Sequence, residues 1–313
     1  MPLSLLRRLF TLALSLIAAS LAIFLAVEVI PGDPASTMLG LEARPETLAA
    51  LRAELGLDQP PVQRYLGWVA GMLRGDFGIS YTYRVPVSEL IADRLAVSLP
   101  LAGLALVLAV ALALPAGLAA AAWRGRLPDL AVSGGAQLGI AVPNFWLAML
   151  LVTLFALRWR FFPSGGFPGW DTPLQALRAL ILPAVALALP QAAILTRVLR
   201  SALIDAQGED FIRTARAKGL SRGQALRHHG LRNAALPVLT LIGLQFSFLL
   251  AGAIIIEQVF YLPGLGQLIF KAITQRDLIT VESVTMLLVC AVIAVTFLTD
   301  VAHALADPRL RRR

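Results

Sequence analysis

Six stretches of the chain, residues 9–27, 95–123, 130–157, 179–196, 233–256 and 283–299, carry no charged side chain and are dominated by aliphatic residues. A helix needs about 20 mostly apolar residues to cross a hydrocarbon core of roughly 30 Å, so the pattern predicts six transmembrane helices. The fourth and sixth stretches are the shortest, with 18 and 17 residues. Both can lengthen past a flanking charge, because arginine snorkels to the interface and Asp300 can face protein instead of lipid. The first stretch follows Arg7 and Arg8 as a signal peptide would. It lacks a small-residue cleavage site and precedes five further spans, so it reads as a retained helix.

Between the first two spans, residues 31–94 are too many for a simple connector. Leu48, Leu51 and Leu55 share one helical face, with Gly56 placed to end the helix. After the Pro60-Pro61 break, Val62, Leu66, Val69 and Leu73 repeat that spacing. Two short amphipathic helices are expected, packed on the bundle or lying over its outer mouth and the membrane surface. The chain thus divides into a tail and first span (1–30), an external loop (31–94) and a core of five spans (95–313) containing a cytoplasmic loop at 200–232.

Composition agrees with a lipid-solvated protein. Of 313 residues, 58% are hydrophobic and 15% charged, against about a quarter charged in soluble domains. The single cysteine, Cys290, excludes a disulfide framework or cysteine-zinc cluster within one chain. The net charge of +8 is a matter of topology. With the N-terminus inside, the cytoplasmic segments hold Arg7, Arg8, Arg124, Arg126, the basic residues of 197–232 and those of 309–313, which is 16 of the 27. Basic residues favour the cytoplasmic side, so both termini are expected inside.

The loop after the fourth span has legible punctuation. Glu209 and Asp210 suit a helix N-terminus, Phe211, Ile212 and Ala215 form an apolar patch, and Gly219 supplies a stop. Ser221 with Gln224 three residues on is a capping-box pattern, and Ala225 and Leu226 follow as inward positions. Two short helices hinged at Gly219 are expected. Such an element, carrying Arg213, Arg216, Lys218, Arg222 and Arg227, suits either a solvated positive-inside loop or a piece that docks in a partner's groove. A DNA-binding helix-turn-helix is disfavoured, because an insert tethered at both ends lacks a core of its own.

Residues 213–219, RTARAKG, with Leu236-Pro237 beyond them, resemble the E-A-A-x-x-x-G signature of importer permeases. Arg213 and Thr214 replace the glutamate and alanine, and the Leu-Pro pair stands further on, both as in the dipeptide, oligopeptide and nickel branch of that superfamily. The resemblance extends through VIPGDPAS (29–36), LGLDQP (55–60), LRGDFGIS (73–80), VPNFWLAMLL (142–151), EDFIRTARAKGLS (209–221), LRNAALPVLT (231–240) and YLPGLGQL (261–268). It implies an all-α type I ABC importer permease of the bacterial cytoplasmic membrane. Such a subunit pairs with a second, homologous permease, two ATP-binding subunits or domains and an external solute-binding protein. Arg213, Thr214, Ala215, Arg216, Ala217, Lys218, Gly219 and Leu220 would contact an ATPase, and the expected cargo is di- or oligopeptide. Nickel or a metal chelate, or a scaffold that transports nothing, remain the other readings.

Catalytic and cofactor signals are absent. A phosphate-binding loop needs a lysine after glycine, but Lys218 precedes Gly219 and Lys271 follows Phe270. ATP and magnesium are therefore expected on partner subunits, with no cofactor on this chain. His228, His229 and His303 stand away from any midplane serine, and no Gly-x-Ser-x-Gly elbow occurs. Adjacent histidines on a helix diverge, so no metal site is expected. Polar groups inside spans are costly unless paired or wet. Gln137, Asn144, Gln191, Gln245, Ser247 and Glu257 are accordingly candidates for the translocation path or for hydrogen bonds between helices.

Overall fold

The computed structural model describes residues 2–29, 33–40 and 43–306. The arginines at 309–313 and residues 30–32 of the VIPGDPAS stretch lie outside the described residues, as do the side chains of Arg7, Arg8, Asp300 and His303. In chain order the helices are α1 Pro2–Glu28, α2 Pro34–Leu39, α3 Pro45–Glu54, α4 Pro61–Leu73, α5 Val87–Ala122, α6 Leu127–Ala141 and α7 Asn144–Leu151. A π-helical turn, Val152–Arg158, continues α7. Then come α8 Pro173–Ala206, α9 Asp210–Ala217, α10 Arg222–Ala225, a second π turn Leu226–Gly230, α11 Leu231–Val259, α12 Leu265–Thr274 and α13 Leu278–Ala306. Among the described residues there is no strand beyond an isolated bridge between Ile79 and Pro86.

Among the described residues five helices are long and apolar enough to span a membrane, and a bent pair brings the number to six when it is counted as one span. That pair, α6 followed by α7 and its π turn, turns by 100°. The turn falls at Val142-Pro143, because a proline restrains the residue before it to extended backbone: Val142 has ψ 124°. The remaining spans overrun the uncharged stretches. Helix α8 takes in Arg178 and Arg197, since an arginine needs only its guanidinium near the interface. Helices α2 and α12 went unanticipated, the first being six residues long and the second sitting between spans at 265–274.

The chain packs as two compact units. The first comprises residues 1–98 and 263–294. Along α1, Phe10, Leu14, Ile17, Leu21 and Leu25 point outward at helical spacing, whereas Ser20, Phe24 and Val27 are buried. Helix α3 forms as expected, with Leu51 buried and Gly56 at φ +69° after its end. Helix α4 also forms: Val62, Leu66 and Leu73 are exposed, while Val69 joins Tyr65, Trp68 and Met72 in packing with Phe24 and Met286. The physical reason lies in the polar tips. Trp68 Nε1 donates to Ser283 Oγ at 3.3 Å, and the Tyr65 hydroxyl is 2.9 Å from Ser20 Oγ. Aromatics that need a partner win the inward face, and aliphatic side chains lose nothing by facing lipid.

The segment after α4 is pinned by Asp277, which is fully buried. Its carboxylate accepts from Ser80 Oγ, from the N–H groups of Tyr81 (3.1 Å) and Thr82 (3.3 Å), and from Thr280 N (3.4 Å) at the start of α13. Ser80 Oγ in turn accepts from Tyr83 N at 3.0 Å. At Gly78, φ is +80° and a Cβ would lie 2.7 Å from Ile279 Cγ1, so only glycine fits. Burial, with lesser help from Glu282 and Asp277, pushes the Tyr81 phenol up to about 12. The unfolded chain releases this proton near its usual 10, so Tyr81 leaves stability untouched below pH 10 and lowers it by roughly 2 kcal/mol between pH 10 and 12. Ultraviolet titration of wild type and Tyr81→Phe checks this: the difference should show a tyrosinate rising near 12, and one rising near 10 would refute it.

The second unit comprises residues 99–262 and 295–313. Its centre is α8, buried on nearly every face, against which α6, α7 and α11 pack. Small residues allow the approach, as where a Cβ on Gly139 would stand 3.0 Å from Ala193 Cβ. At one end, the Asp129 carboxylate of α6 takes a bidentate bond from Arg200 of α8, at 2.5 and 2.8 Å, and further bonds from Gly125 N and Ser133 Oγ.

Candidate functional site

The loop between α8 and α11 folds as its punctuation predicts. Glu209 is the extended N-cap of α9, Lys218 its C-cap, and Gly219 adopts φ +91°. Gly219 N donates to Arg216 O at 3.0 Å and Leu220 N to Ala215 O at 3.3 Å, satisfying carbonyls that a helix end leaves open. Ser221 then caps α10 in a complete capping box: its hydroxyl accepts from Gln224 N at 3.3 Å, and the Gln224 side chain accepts from Ser221 N at 2.9 Å. Ile212, Ala215, Ala225 and Leu226 are buried. Phe211 departs from the expected patch and is 37% exposed, although i,i+4 spacing puts it on the same side of α9 as the buried Ala215.

Of the eight residues singled out, Arg213, Thr214, Arg216, Ala217, Lys218 and Gly219 are exposed, Leu220 is half-buried and Ala215 is buried. The loop therefore presents one continuous, mostly basic outer surface over an apolar underside. Arg213 pairs with Asp210 at 3.4 Å, both fully in solvent, a contact of little energetic consequence. The element is tied to the bundle: Gln207 Nε2 donates to Ala121 O at 2.8 Å, and Arg222 donates to Gln207 Oε1. From Arg222 onward α10, the π turn and α11 run without interruption to Val259, so the second helix of the hinge is the root of a membrane span.

The intramembrane polar candidates separate into groups. Gln191 and Gln245 meet between α8 and α11, and Asn144 lies beside Gly252, about two turns further along α11. A Cβ on Gly252 would lie 3.2 Å from Leu187 and 3.4 Å from Asn144 Nδ2, and Gln245 Nε2 donates to Gln191 O at 2.9 Å. This last bond joins α8 to α11. The side-chain oxygens of both glutamines are buried without a partner. Ser247 is half-buried on α11, Glu257 is fully buried towards its other end, and Gln137 is exposed on α6. Among the described residues no three His, Cys, Asp or Glu side chains converge as metal ligands, and His228 Nδ1 lies 2.9 Å from Gln224 O.

Sequence reasoning missed Asp129–Arg200, Asp277 and the Gln207 tether. The first two join residues 71 and about 200 positions apart, separations at which no local pattern operates.

The profile of the binding-protein-dependent transport system inner membrane component matches residues 113–312, and that of the N-terminal part of such proteins matches residues 1–102. The chain belongs to this family. It is a permease subunit of an ABC importer, and in such importers ATP hydrolysis belongs to separate subunits. A Brucella abortus (strain 2308) protein described as a peptide transport system permease is 44% identical over 92% of both chains. A glutathione transport system permease of Salmonella typhi is 39% identical over 98% of both. Among solved structures, the inward-facing MetNI methionine ABC transporter superposes with TM-score 0.56 at 20% identity, covering 70% of this chain and 96% of that one. An amino acid ABC transporter with histidines gives 0.52 at 17%, covering 69% and 94%. The permease fold is shared.

Proposed function

We propose that this permease pairs with a second, homologous permease to form a path for di- and oligopeptides across the bacterial cytoplasmic membrane, both termini being cytoplasmic. Two ATPase subunits, carrying ATP and magnesium, engage residues 213–220, and an external binding protein delivers the peptide. The observation that carries the coupling role is the capped helix pair at 210–225, which is exposed, basic and continuous with α11. A stiff element can pass a partner's rigid-body motion into a span, whereas an unstructured loop would absorb it. Arg213, Arg216 and Lys218 would meet acids on the ATPase, and Ala217 and Gly219 permit close approach. Support for peptide cargo comes from relatives whose names state peptide and glutathione transport.

Asn144, Gln191, Gln245, Ser247 and Glu257 stand nearest the path in this reading. The two unpartnered amide oxygens could offer acceptors to water or to a passing peptide without a strong, slow-releasing site. The test is reconstitution of the whole importer in vesicles with labelled di- and tripeptide, and nickel measured in parallel. Deleting 217–219 should reduce ATP-driven peptide uptake to background while the bundle still inserts. Assembly and uptake that survive the deletion would sink the coupling role. Nickel uptake in place of peptide uptake would overturn the cargo.

A further inference from the structure

An apolar groove of about 430 Å³ opens along α6 in the second unit, walled by Leu112 and Ala116 of α5, Val132 and Gly135 of α6, and Leu189 and Ala193 of α8. It follows α6 from Val132 to Val142, a rise of roughly 15 Å and so about one leaflet of a hydrocarbon core. Glycine is the least helix-favouring residue after proline, yet α6 carries Gly134 and Gly135 side by side, and nothing lies within 4 Å of a Cβ built on either. No packing among the described residues requires them.

The groove ends one to two turns from the α5–α6 turn, which carries Arg124 and Arg126, both exposed. Asp129 is the one acid in residues 121–130, and it is committed to Arg200 and Gly125 N. More positive charge is brought to the same place. The Gln207 side chain bonds both Ala121 O and Arg222, and a Cβ on Gly223 would rest 3.9 Å from Ala122. Burial, followed by the nearby Arg124, Arg216 and Arg126, presses the Arg222 guanidinium below its usual value. Trp123 and Leu127 flank the arginines and are 48% and 81% exposed. Exposed tryptophan beside cations suits the headgroup level of a bilayer.

We propose that this turn and groove hold an anionic phospholipid, its phosphate against Arg124 and Arg126 and one acyl chain lying over Gly135 along α6. Charge argues for an anionic headgroup, since the charges that act on Arg222 are the guanidiniums of Arg124, Arg216 and Arg126, with no carboxylate among them. The apolar wall argues for an acyl chain, because a soluble anion leaves it empty and an ATPase cannot reach within the bilayer. Through Arg222, the lipid would touch the root of the second hinge helix. The proposal needs only a membrane-spanning chain, so it stands or falls apart from the peptide reading.

The test uses the assembled importer, stripped of lipid in detergent, titrated with phosphatidylglycerol or phosphatidylcholine and read by native mass spectrometry. Wild type should retain phosphatidylglycerol in preference to phosphatidylcholine. The double variant Arg124→Gln, Arg126→Gln should weaken retention about 30-fold, at about fivefold for each arginine near an anionic lipid. Gly135→Leu, which adds a better helix former at an exposed position, should fill the groove and weaken retention with every arginine in place. Glycerol phosphate, the free headgroup, should not compete. Equal retention of the two lipids, unchanged retention in either variant, or full competition by glycerol phosphate would each overturn the proposal. So would efficient cross-linking of Gly135→Cys to the second permease, which would give the groove a protein occupant.

Discussion

Arg200→Met is expected to destabilise the second unit by about 3 kcal/mol, because it strands a carboxylate that is only 4% exposed. Asp129 lies in the first turn of α6 and loses its charged partner. Gly125 N and Ser133 Oγ still donate to it, but neither supplies a positive charge. Removing both members should be far milder. Asp129→Leu combined with Arg200→Met should come within about 1 kcal/mol of wild type, since replacing a buried pair by apolar groups of similar volume is close to neutral. Denaturant unfolding of the four chains of this double-mutant cycle in mixed micelles measures the coupling. Additive losses, or a cost under about 1 kcal/mol for Arg200→Met, would show that the partly exposed arginine carries no such weight.

Asp277→Ala should cost about 3 kcal/mol and act on the outer segment at 77–86. It leaves Ser80 Oγ and the N–H groups of Tyr81 and Thr82 without their acceptor and removes the bond to Thr280 at the start of α13. Unmet buried donors are worth about 1–3 kcal/mol each, and partial exposure to water recovers some of that. Asp277→Asn should fall between, because Oδ1 can still accept from Tyr81 and Thr280 while an amide nitrogen faces the Thr82 donor. Arg84, exposed with φ 54°, provides the readout. Trypsin should cut after it many times faster in Asp277→Ala than in wild type. An unchanged rate would mean that the segment is held by other contacts, such as Phe77 against the Val87 and Leu268 cluster.

These two anchors show what a linear reading can and cannot reach. The uncharged stretches, Pro45, Gly56, Gly219 and the Ser221-Gln224 pair act on the residues beside them, so their helices, ends and caps could be read directly. The inward face of α4 could not. Val62, Leu66, Val69 and Leu73 share a helical spacing, yet of the four Val69 alone packs inward, because apolar periodicity identifies the inside only when the outside is water. In a bilayer the rule weakens, and the hydrogen-bonding needs of Tyr65 and Trp68 decided the matter. The bend at Pro143 has a local cause, a proline within an uncharged stretch, but its 100° angle has none. Within the candidate site, the basic surface of 213–220 was legible because it is contiguous. The tether from Gln207 to Ala121 was not, because it joins residues 86 positions apart.

The π turn at Leu226–Gly230 sits between the hinge and the span that carries Gln245 and Gly252. A π turn takes one residue more than an α turn to cover the same arc. Each residue of an α-helix advances the side-chain direction by about 100°. The extra residue at His228-His229 therefore sets the phase between two surfaces that share one helical run. Were the turn regular, the face that meets α8 through Gln245 would be rotated by more than a quarter of a circle relative to Arg222. The length of a five-residue turn thus fixes which side of α11 is turned to α8 for a given setting of Arg222.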